Sequence, residues 1–340
     1  MMDLNGCSVL ITGGTGSFGK KFIKLLLEKY SGIKQLAILS RDEFKQYELA
    51  QALQASELPS LKFYLGDIRD KDRLLEVTDG VDIIIHAAAL KQVPASEVNP
   101  FEFIKTNING TQNVIDAAIQ NKVQKVIALS TDKAVAPVSL YGASKLCSDK
   151  LITSVNTLRP NVGTVFSVVR YGNVMGSRGS VIPRFLEERE GLILSVTNTA
   201  MTRFNATMND EFNVVLHAME HSLGGETFVP KLPSYNILDL AKAISPSSQI
   251  KISGIRPGEK MHEEMISQNE ARNTIEFDKY YITLPANGVT WDKSLILKKF
   301  FGRYVEDDFE YNSLTNPNRL SIEELRHLIS IEVDISFKPV

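Results

Sequence analysis

The sequence predicts an α/β protein, a doubly wound parallel sheet carrying a smaller C-terminal lobe. Three observations carry that prediction. Apolar runs of strand length alternate with helix-periodic segments through the first half of the chain. Those runs are nearly continuous in aliphatic and β-branched residues, as strands covered on both faces require. A glycine-rich turn joins the first strand to the first helix.

Taken in order, residues 8–11 form a strand, followed by a helix bearing Phe18, Phe22, Leu25 and Leu26. Residues 36–39 are the second strand, with a helix over 43–53. Strands follow at 62–65 and 81–86, then a long helical stretch over 101–121. A fifth strand spans 123–129, a helix runs from Ser139 towards Leu158, and a sixth strand spans 164–170. Right-handed crossovers then wind the sheet. After Tyr171 the rhythm breaks into loops with Gly172, Gly176, Gly179 and Gly191. A helix is expected near 209–221, a strand near 227–229 and a capped helix beginning at Ser321. The expected division is a Rossmann domain over 1–172, with 205–245 returning to it. Residues 173–204 and 246–340 then form the lobe, facing the carboxyl ends of the strands, where open α/β sheets bind ligands.

Composition excludes several classes. Among 340 residues, 38 Lys and Arg balance 40 Asp and Glu, which argues against nucleic acid as the main partner. The longest run without charge, Leu4 to Gly19, is too short and too polar to span a bilayer. Asp3 and the lack of a basic cluster do not read as a secretory signal. Two cysteines, Cys7 and Cys147, have no metal-ligand spacing, so a reduced cytoplasmic protein is expected. His262-Glu263-Glu264 is not His-Glu-x-x-His, and no metal site is expected.

Gly13, Gly16 and Gly19 have the spacing G-x-x-G-x-x-G, with Thr15, Ser17 and Phe18 between them. Glycine lets the backbone approach a pyrophosphate, and the helix N-terminus meets it with free N–H groups. This points to a dinucleotide. Gly14 to Lys20 also fits G-x-x-x-x-G-K, but a phosphate-binding P-loop would next need Ser or Thr, and Lys21 stands there. The second strand ends at Ser40-Arg41-Asp42. Arg41 beside Ser40, with Lys45 one turn on, suits a 2′-phosphate and hence NADP, while Asp42 keeps NAD open. Asp67 and Ile68 follow the third strand, where adenine is expected. Ala87, Ala88 and Ala89 follow the fourth and leave room for ribose and pyrophosphate.

Tyr141 and Lys145 stand four apart on a predicted helix and share a face. A lysine beside a tyrosine favours phenolate, which can take a sugar hydroxyl proton while hydride leaves for a nicotinamide.

With these residues in view, the chain resembles the extended short-chain dehydrogenase/reductases. The resemblance rests on Thr12-Gly-Gly-Thr-Gly-Ser-Phe-Gly19, Gly66-Asp67, His86-Ala-Ala-Ala89, Asn107-Ile-Asn-Gly-Thr111, Ser130-Thr131, Tyr141/Lys145 and Tyr171-Gly-Asn173. That family acts mostly on nucleotide sugars. Ser130-Thr-Asp-Lys133, Ala87-Ala-Ala-Leu-Lys-Gln-Val-Pro94, Met201-Thr-Arg-Phe204 and Arg256-Pro-Gly-Glu-Lys260 narrow it. They resemble the inverting UDP-N-acetylglucosamine (UDP-GlcNAc) 4,6-dehydratases, soluble enzymes that open pseudaminic acid biosynthesis. The likeness runs from about Asn5 to Asn312. Retaining dehydratases carry Asp-Glu where this chain has Asp132-Lys133, and capsule-type relatives often carry Met at the Tyr141 position.

The resemblance implies a cycle. Tyr141, assisted by Lys145, deprotonates O4 as C4 hydride passes to NADP, and Thr131 holds O4. Lys133 removes the C5 proton, for which it must be neutral, and Asp132 protonates the departing C6 hydroxyl. Hydride returns to C6 and a proton to the opposite face of C5. The carried-over substrate residues are Lys91, Asn173, Arg178, Arg203 and Arg256, with Val181 near uracil and Glu259 near ribose. A homo-oligomer is implied, a hexamer being one form. One departure touches the sugar: Asn205-Ala206-Thr207 replaces the bulky apolar residue the family has after Phe204. Two other readings remain open. One is an NADP-dependent epimerase or retaining dehydratase. The other is a non-catalytic NADP-sensing scaffold, which would be expected to lose Tyr141 and Lys145.

Overall fold

The computed structural model describes residues 4–58, 60–177, 179–285, 297 and 302–340. Six parallel strands form its centre. They are β1 (Ser8–Thr12), β2 (Gln35–Ser40), β3 (Leu61–Leu65), β4 (Ile83–His86), β5 (Lys125–Thr131) and β6 (Val165–Tyr171), in spatial order β3-β2-β1-β4-β5-β6. The direction of winding reverses between β1 and β4, which opens a crevice at the strands' carboxyl ends. Helices α1 (Ser17–Lys29), α2 (Glu43–Ala52), α3 (Lys71–Val77), α4 (Val93–Val98), α5 (Pro100–Phe103), α6 (Gly110–Gln120) and α7 (Leu140–Leu158) connect them.

The apolar strands feed two cores because successive side chains point to opposite faces. Ile11, Ile38, Ile83 and Ile85 pack with Phe22, Leu26, Phe212 and Met219 on one face. Leu10, Ala37, Leu39 and Ile84 pack with Leu74, Val114, Ala118 and Ile152 on the other. Each fully buried Leu or Phe contributes about 2 kcal/mol.

The remaining elements are β7 (Asn173–Val174), α8 (Val181–Glu188), β8 (Ile193–Val196), β9 (Thr202–Ala206), α9 (Met208–His221), β10 (Thr227–Pro230), β11 (Ser234–Asn236), α10 (Ile237–Ile244), β12 (Gln249–Ile252), β13 (Glu264–Ile266), α11 (Gln268–Ala271), β14 (Thr274–Glu276), β15 (Tyr280–Thr283), β16 (Arg303–Tyr304), β17 (Tyr311–Asn312) and α12 (Ile322–Glu332). Here β10 pairs parallel with β6, and β15, β14 and β16 extend the sheet antiparallel. The sheet is therefore mixed rather than wholly parallel. A separate core of Ile182, Phe185, Leu194, Tyr235, Leu240, Leu325 and Ile329 gathers α8, α10 and α12. Among the described residues no helix is long and apolar enough to cross a membrane.

The helical stretch expected over 101–121 is not one helix. Residues Ile104–Asn109 take a wider π turn between α5 and α6. Asn107 explains its use: its amide donates to the Leu90 carbonyl and to Ser144 Oγ, 2.9 Å each, and accepts from Leu90 N–H at 2.8 Å. The turn thus ties the segment after β4 to α7.

Candidate active site

The glycine turn follows from steric necessity. Gly13 has φ +70°, and a Cβ there would lie 2.8 Å from the Ala88 backbone. A Cβ on Gly19 would lie 2.3 Å from the Gly14 carbonyl oxygen. Helix α1 therefore starts against the ends of β1 and β4. Its N-terminus has no side-chain cap and no acidic residue in the first turn, so its free N–H groups suit an anion.

At the end of β2, Asp42 is already engaged. It caps α2 by accepting Lys45 N–H at 3.0 Å, and its other oxygen takes Lys45 Nζ at 2.5 Å. Arg41 is half exposed, with only a 3.4 Å contact to Asp67, which is held more closely by Arg69 at 2.7 Å.

A cavity of about 870 Å³ joins these groups to the carboxyl ends of β5 and β6. Its wall includes Gly13, Thr15, Gly16, Ser17, Phe18, Gly19, Ser40, Arg41, Lys45, Asp67, Ile68 and Ala87–Ala89 at one end. Thr131, Lys133, Tyr141, Lys145, Lys91, Asn173, Val181, Arg203, Arg256 and Glu259 line the rest. Arg178 lies outside the described residues. Asp132 is fully buried and does not line the cavity.

Helix α7 places Tyr141 and Lys145. Ser139 caps it by accepting Gly142 N–H at 3.2 Å. A Cβ on Gly142 would stand 2.3 Å from the Lys133 carbonyl oxygen, so glycine lets α7 close onto the turn after β5. Gly142→Ala should separate the two and cost about 2 kcal/mol of stability, visible as a melting temperature several degrees below that of the parent protein.

Lys145 is buried beside Tyr141 on the same wall. Its Nζ donates to the Leu129 carbonyl at 2.8 Å. Burial lowers its pKa, opposed by Asp149. Burial also pushes the Tyr141 hydroxyl up to about 12, and the cation that opposes this first is Lys133. Ser130 also lines the cavity, and its hydroxyl donates to Asp149 Oδ2 at 2.6 Å.

The turn after β5 holds the densest charge. Lys133 Nζ lies 3.0 Å from Asp132 Oδ1, 3.3 Å from Glu263 Oε1 and 3.2 Å from Asn173 Oδ1. Thr131 donates to Asp132 Oδ1 at 2.9 Å. Burial alone would lower the Lys133 pKa, but Asp132 and Glu263 outweigh it and raise it. The neutral amine that the sequence reading requires for a base is thus opposed in the free site by two neighbouring carboxylates. Burial raises Asp132, against the opposing charge of Lys133. Arg203 Nε stands 3.7 Å from Glu263 Oε1.

Glu263, Glu211 and Lys260 line the cavity although the sequence reading gave none of them a role in the site. Burial holds Glu211 well above the usual carboxylate range. Its carboxyl is buried, and the Tyr171 hydroxyl is a polar group close to it. Arg256-Pro-Gly-Glu-Lys260 was the nearby sequence signal for Glu263. Arg256 and Glu259 pair with each other.

A doubly wound sheet, a glycine turn at its switch point and a Tyr-x-x-x-Lys helix beside it define an extended short-chain dehydrogenase/reductase. Residues 9–285 match the polysaccharide biosynthesis protein family, and the chain belongs to it. It is 49% identical, over 96% of its length and 98% of the relative's, to a UDP-N-acetylglucosamine 4,6-dehydratase (inverting) of Campylobacter jejuni subsp. jejuni serotype O:2. It is 41% identical to a UDP-glucose 4-epimerase of Rickettsia canadensis, covering 95% of each chain. The X-ray structure of Pen from Bacillus thuringiensis superposes with a TM-score of 0.86 at 36% identity, covering 96% of this chain and 98% of that one.

Proposed function

We propose that the protein converts UDP-GlcNAc to the 4-keto-6-deoxy sugar nucleotide with inversion at C5. The observation that carries this is Lys133, a cation on the cavity wall whose charge acts on the Tyr141 hydroxyl. An epimerase needs only a C4 base, and a buried ammonium–carboxylate cluster beside that base is surplus to it. The 49% identical dehydratase supports the same reading.

The residues fit NADP. The bare N-terminus of α1 and the Gly13 and Gly19 contacts make a pyrophosphate cradle. Arg41 and Lys45 would meet the 2′-phosphate, because Asp42 is committed to capping α2. NADP, when bound, supplies the hydride acceptor for C4 and the donor for C6. The chain's own work is proton handling and orientation. Tyr141 takes the O4 proton. The resulting C4 ketone acidifies C5–H. Lys133 takes that proton, and Asp132 gives its own to the departing C6 hydroxyl, which leaves as water. Before substrate binds, Asp132 lies 3.0 Å from Lys133 Nζ. Lys91, Asn173, Val181, Arg203, Arg256 and Glu259 orient the nucleotide sugar. The resemblance in sequence further supports a cytoplasmic homo-oligomer whose product enters pseudaminic acid biosynthesis.

Proton NMR of the protein with NADP⁺ and UDP-GlcNAc in D₂O tests the reaction. A 4-keto-6-deoxy product of L-arabino configuration with deuterium at C5 is the expected result. Simple C4 epimerisation would replace this reading with the epimerase one. Arg41→Ala should weaken NADP⁺ binding about tenfold and leave NAD⁺ binding nearly unchanged, as measured by titration of cofactor-stripped protein.

A further inference from the structure

We propose that Asp149 is a positioning residue for C4 oxidation: with Arg170 and Glu270 it forms a buried chain of charge behind α7 that keeps Lys145 a cation beside Tyr141. The proposal rests on Tyr141 as the O4 base, a role that the dehydratase and epimerase readings share.

Four elements build the chain. Tyr141, Lys145 and Asp149 are spaced by four along α7, so they share one face of the helix. All three are buried. Tyr141 and Lys145 line the cavity, whereas Asp149 does not. Asp149 Oδ2 accepts the Ser130 hydroxyl of β5 at 2.6 Å and lies 3.8 Å from Arg170 Nη2 on β6. Arg170 in turn grips Glu270 of α11. Both of its terminal nitrogens lie 3.1 Å from Glu270 Oε1, and Nη1 also donates to the Met265 carbonyl of β13 at 2.9 Å. Glu270 is itself fixed by the backbone, its Oε2 accepting Ser267 N–H at 3.1 Å.

Charge balance gives the chain its purpose. An arginine keeps its proton in a protein interior. Arg170 is therefore a fixed cation, and Glu270 is the carboxylate that matches it. Lys145 is the second cation, and Asp149 is the carboxylate left to match it. The hydrogen bond from Lys145 Nζ goes to the Leu129 carbonyl, a neutral partner. The other titratable groups facing Lys145 supply no anion. Tyr141 carries its proton at rest. Burial pushes the His86 imidazole of β4 down to about 3, and the Lys145 charge adds to that effect, so His86 is neutral. Burial works to strip the proton from Lys145, and Asp149 is the charge that opposes it. A lysine that stays charged favours the phenolate beside it.

The test is Asp149→Asn, which keeps an acceptor for Ser130 and removes only the charge. Asp149→Glu restores that charge. Single-turnover reduction of NADP⁺ by UDP-GlcNAc is followed from pH 7 to pH 10. In the parent protein the rate climbs with the Tyr141 phenolate. In Asp149→Asn, Lys145 should lose its proton within that range, so the climb should flatten. The rate at pH 10 should fall at least about tenfold below that of the parent. Asp149→Glu should climb as the parent does. Glu270→Gln, at the far end of the chain, should flatten the climb to a smaller extent, because Arg170 then draws on Asp149 alone. An unchanged slope in Asp149→Asn overturns the proposal. A loss equal at every pH overturns it too, by making Asp149 a structural residue. So does a failure of Asp149→Asn to fold while Glu270→Gln keeps the parent slope. A parent protein whose rate does not climb, or whose climb survives in Tyr141→Phe, removes Tyr141 as the base and the proposal with it.

Discussion

Replacing Lys133 with Met should abolish turnover and make stability depend on pH in a new way. Turnover should fall by about three orders of magnitude, since the C5 proton loses its proposed base. The stability effect follows from what Lys133 neutralises. Its Nζ lies between Asp132 and Glu263, whose side chains are 0% and 2% exposed. Removing one partner of a buried ion pair costs about 3 kcal/mol, because the other charge stays behind. In the variant, burial acts on both carboxyls with only the cations around Arg203 to oppose it. Their folded pKa values then rise above the unfolded ones. Between those values the folded chain binds more protons than the unfolded one, so stability is present at low pH and lost as pH rises. In the parent protein the depressed Glu263 works in the opposite sense, its contribution being lost as pH falls. Thermal melts at pH 5 and pH 8 check this. The gap between parent and variant should widen towards pH 8. A gap independent of pH would mean that the two carboxyls do not depend on Lys133.

Much of the fold was legible because parallel strands announce themselves. β1, β2, β4, β5 and β6 are buried on both faces, so the middle of each is a nearly continuous apolar run. Helix α3 was not legible. It is seven residues long with little apolar periodicity, and Leu74 and Val77 alone are its buried residues. The antiparallel extension β14–β16 was hidden for a related reason, since two- to four-residue strands carry too little pattern to register. The π turn at Ile104–Asn109 leaves the hydrophobic spacing almost unchanged and shows only through the hydrogen bonds of Asn107.

The site divides in the same way. The glycine turn and Tyr141/Lys145 are local in sequence, so spacing exposes them. Glu263 comes 130 positions after Lys133, and only the approach of the segment before β13 to the turn after β5 joins them. The burial of Asp132 was not legible. After β5 the chain bends into a 3-10 turn over Asp132–Ala134, which leaves Thr131 and Lys133 on the cavity wall and Asp132 buried. The adjacency of Asp132 and Lys133 in sequence concealed their opposite directions in space.

That same cluster sets what Tyr141 does with pH, and Tyr141→Phe isolates it. The substitution removes one hydroxyl from a side chain that is 8% exposed and keeps the ring in place. Stability should change by about 1 kcal/mol at most, while C4 oxidation should fall about a thousandfold. The parent protein should show an alkaline limb. Before ligands bind, burial pushes the Tyr141 hydroxyl up to about 12, with Lys133 the leading opposing charge. Below that value the phenolate fraction grows about tenfold per pH unit, and kcat/KM for C4 oxidation should climb with it. Lys133 does not cut this limb short, because its own pKa is raised by Asp132 and Glu263 and it stays charged. Tyr141→Phe should flatten the profile. Lys133→Met should instead keep the limb and move it to higher pH, since the phenolate loses its nearest favourable charge. A profile of C4 oxidation measured from pH 7 to 10 separates the two variants. An unchanged limb in Tyr141→Phe would assign the O4 proton to another group.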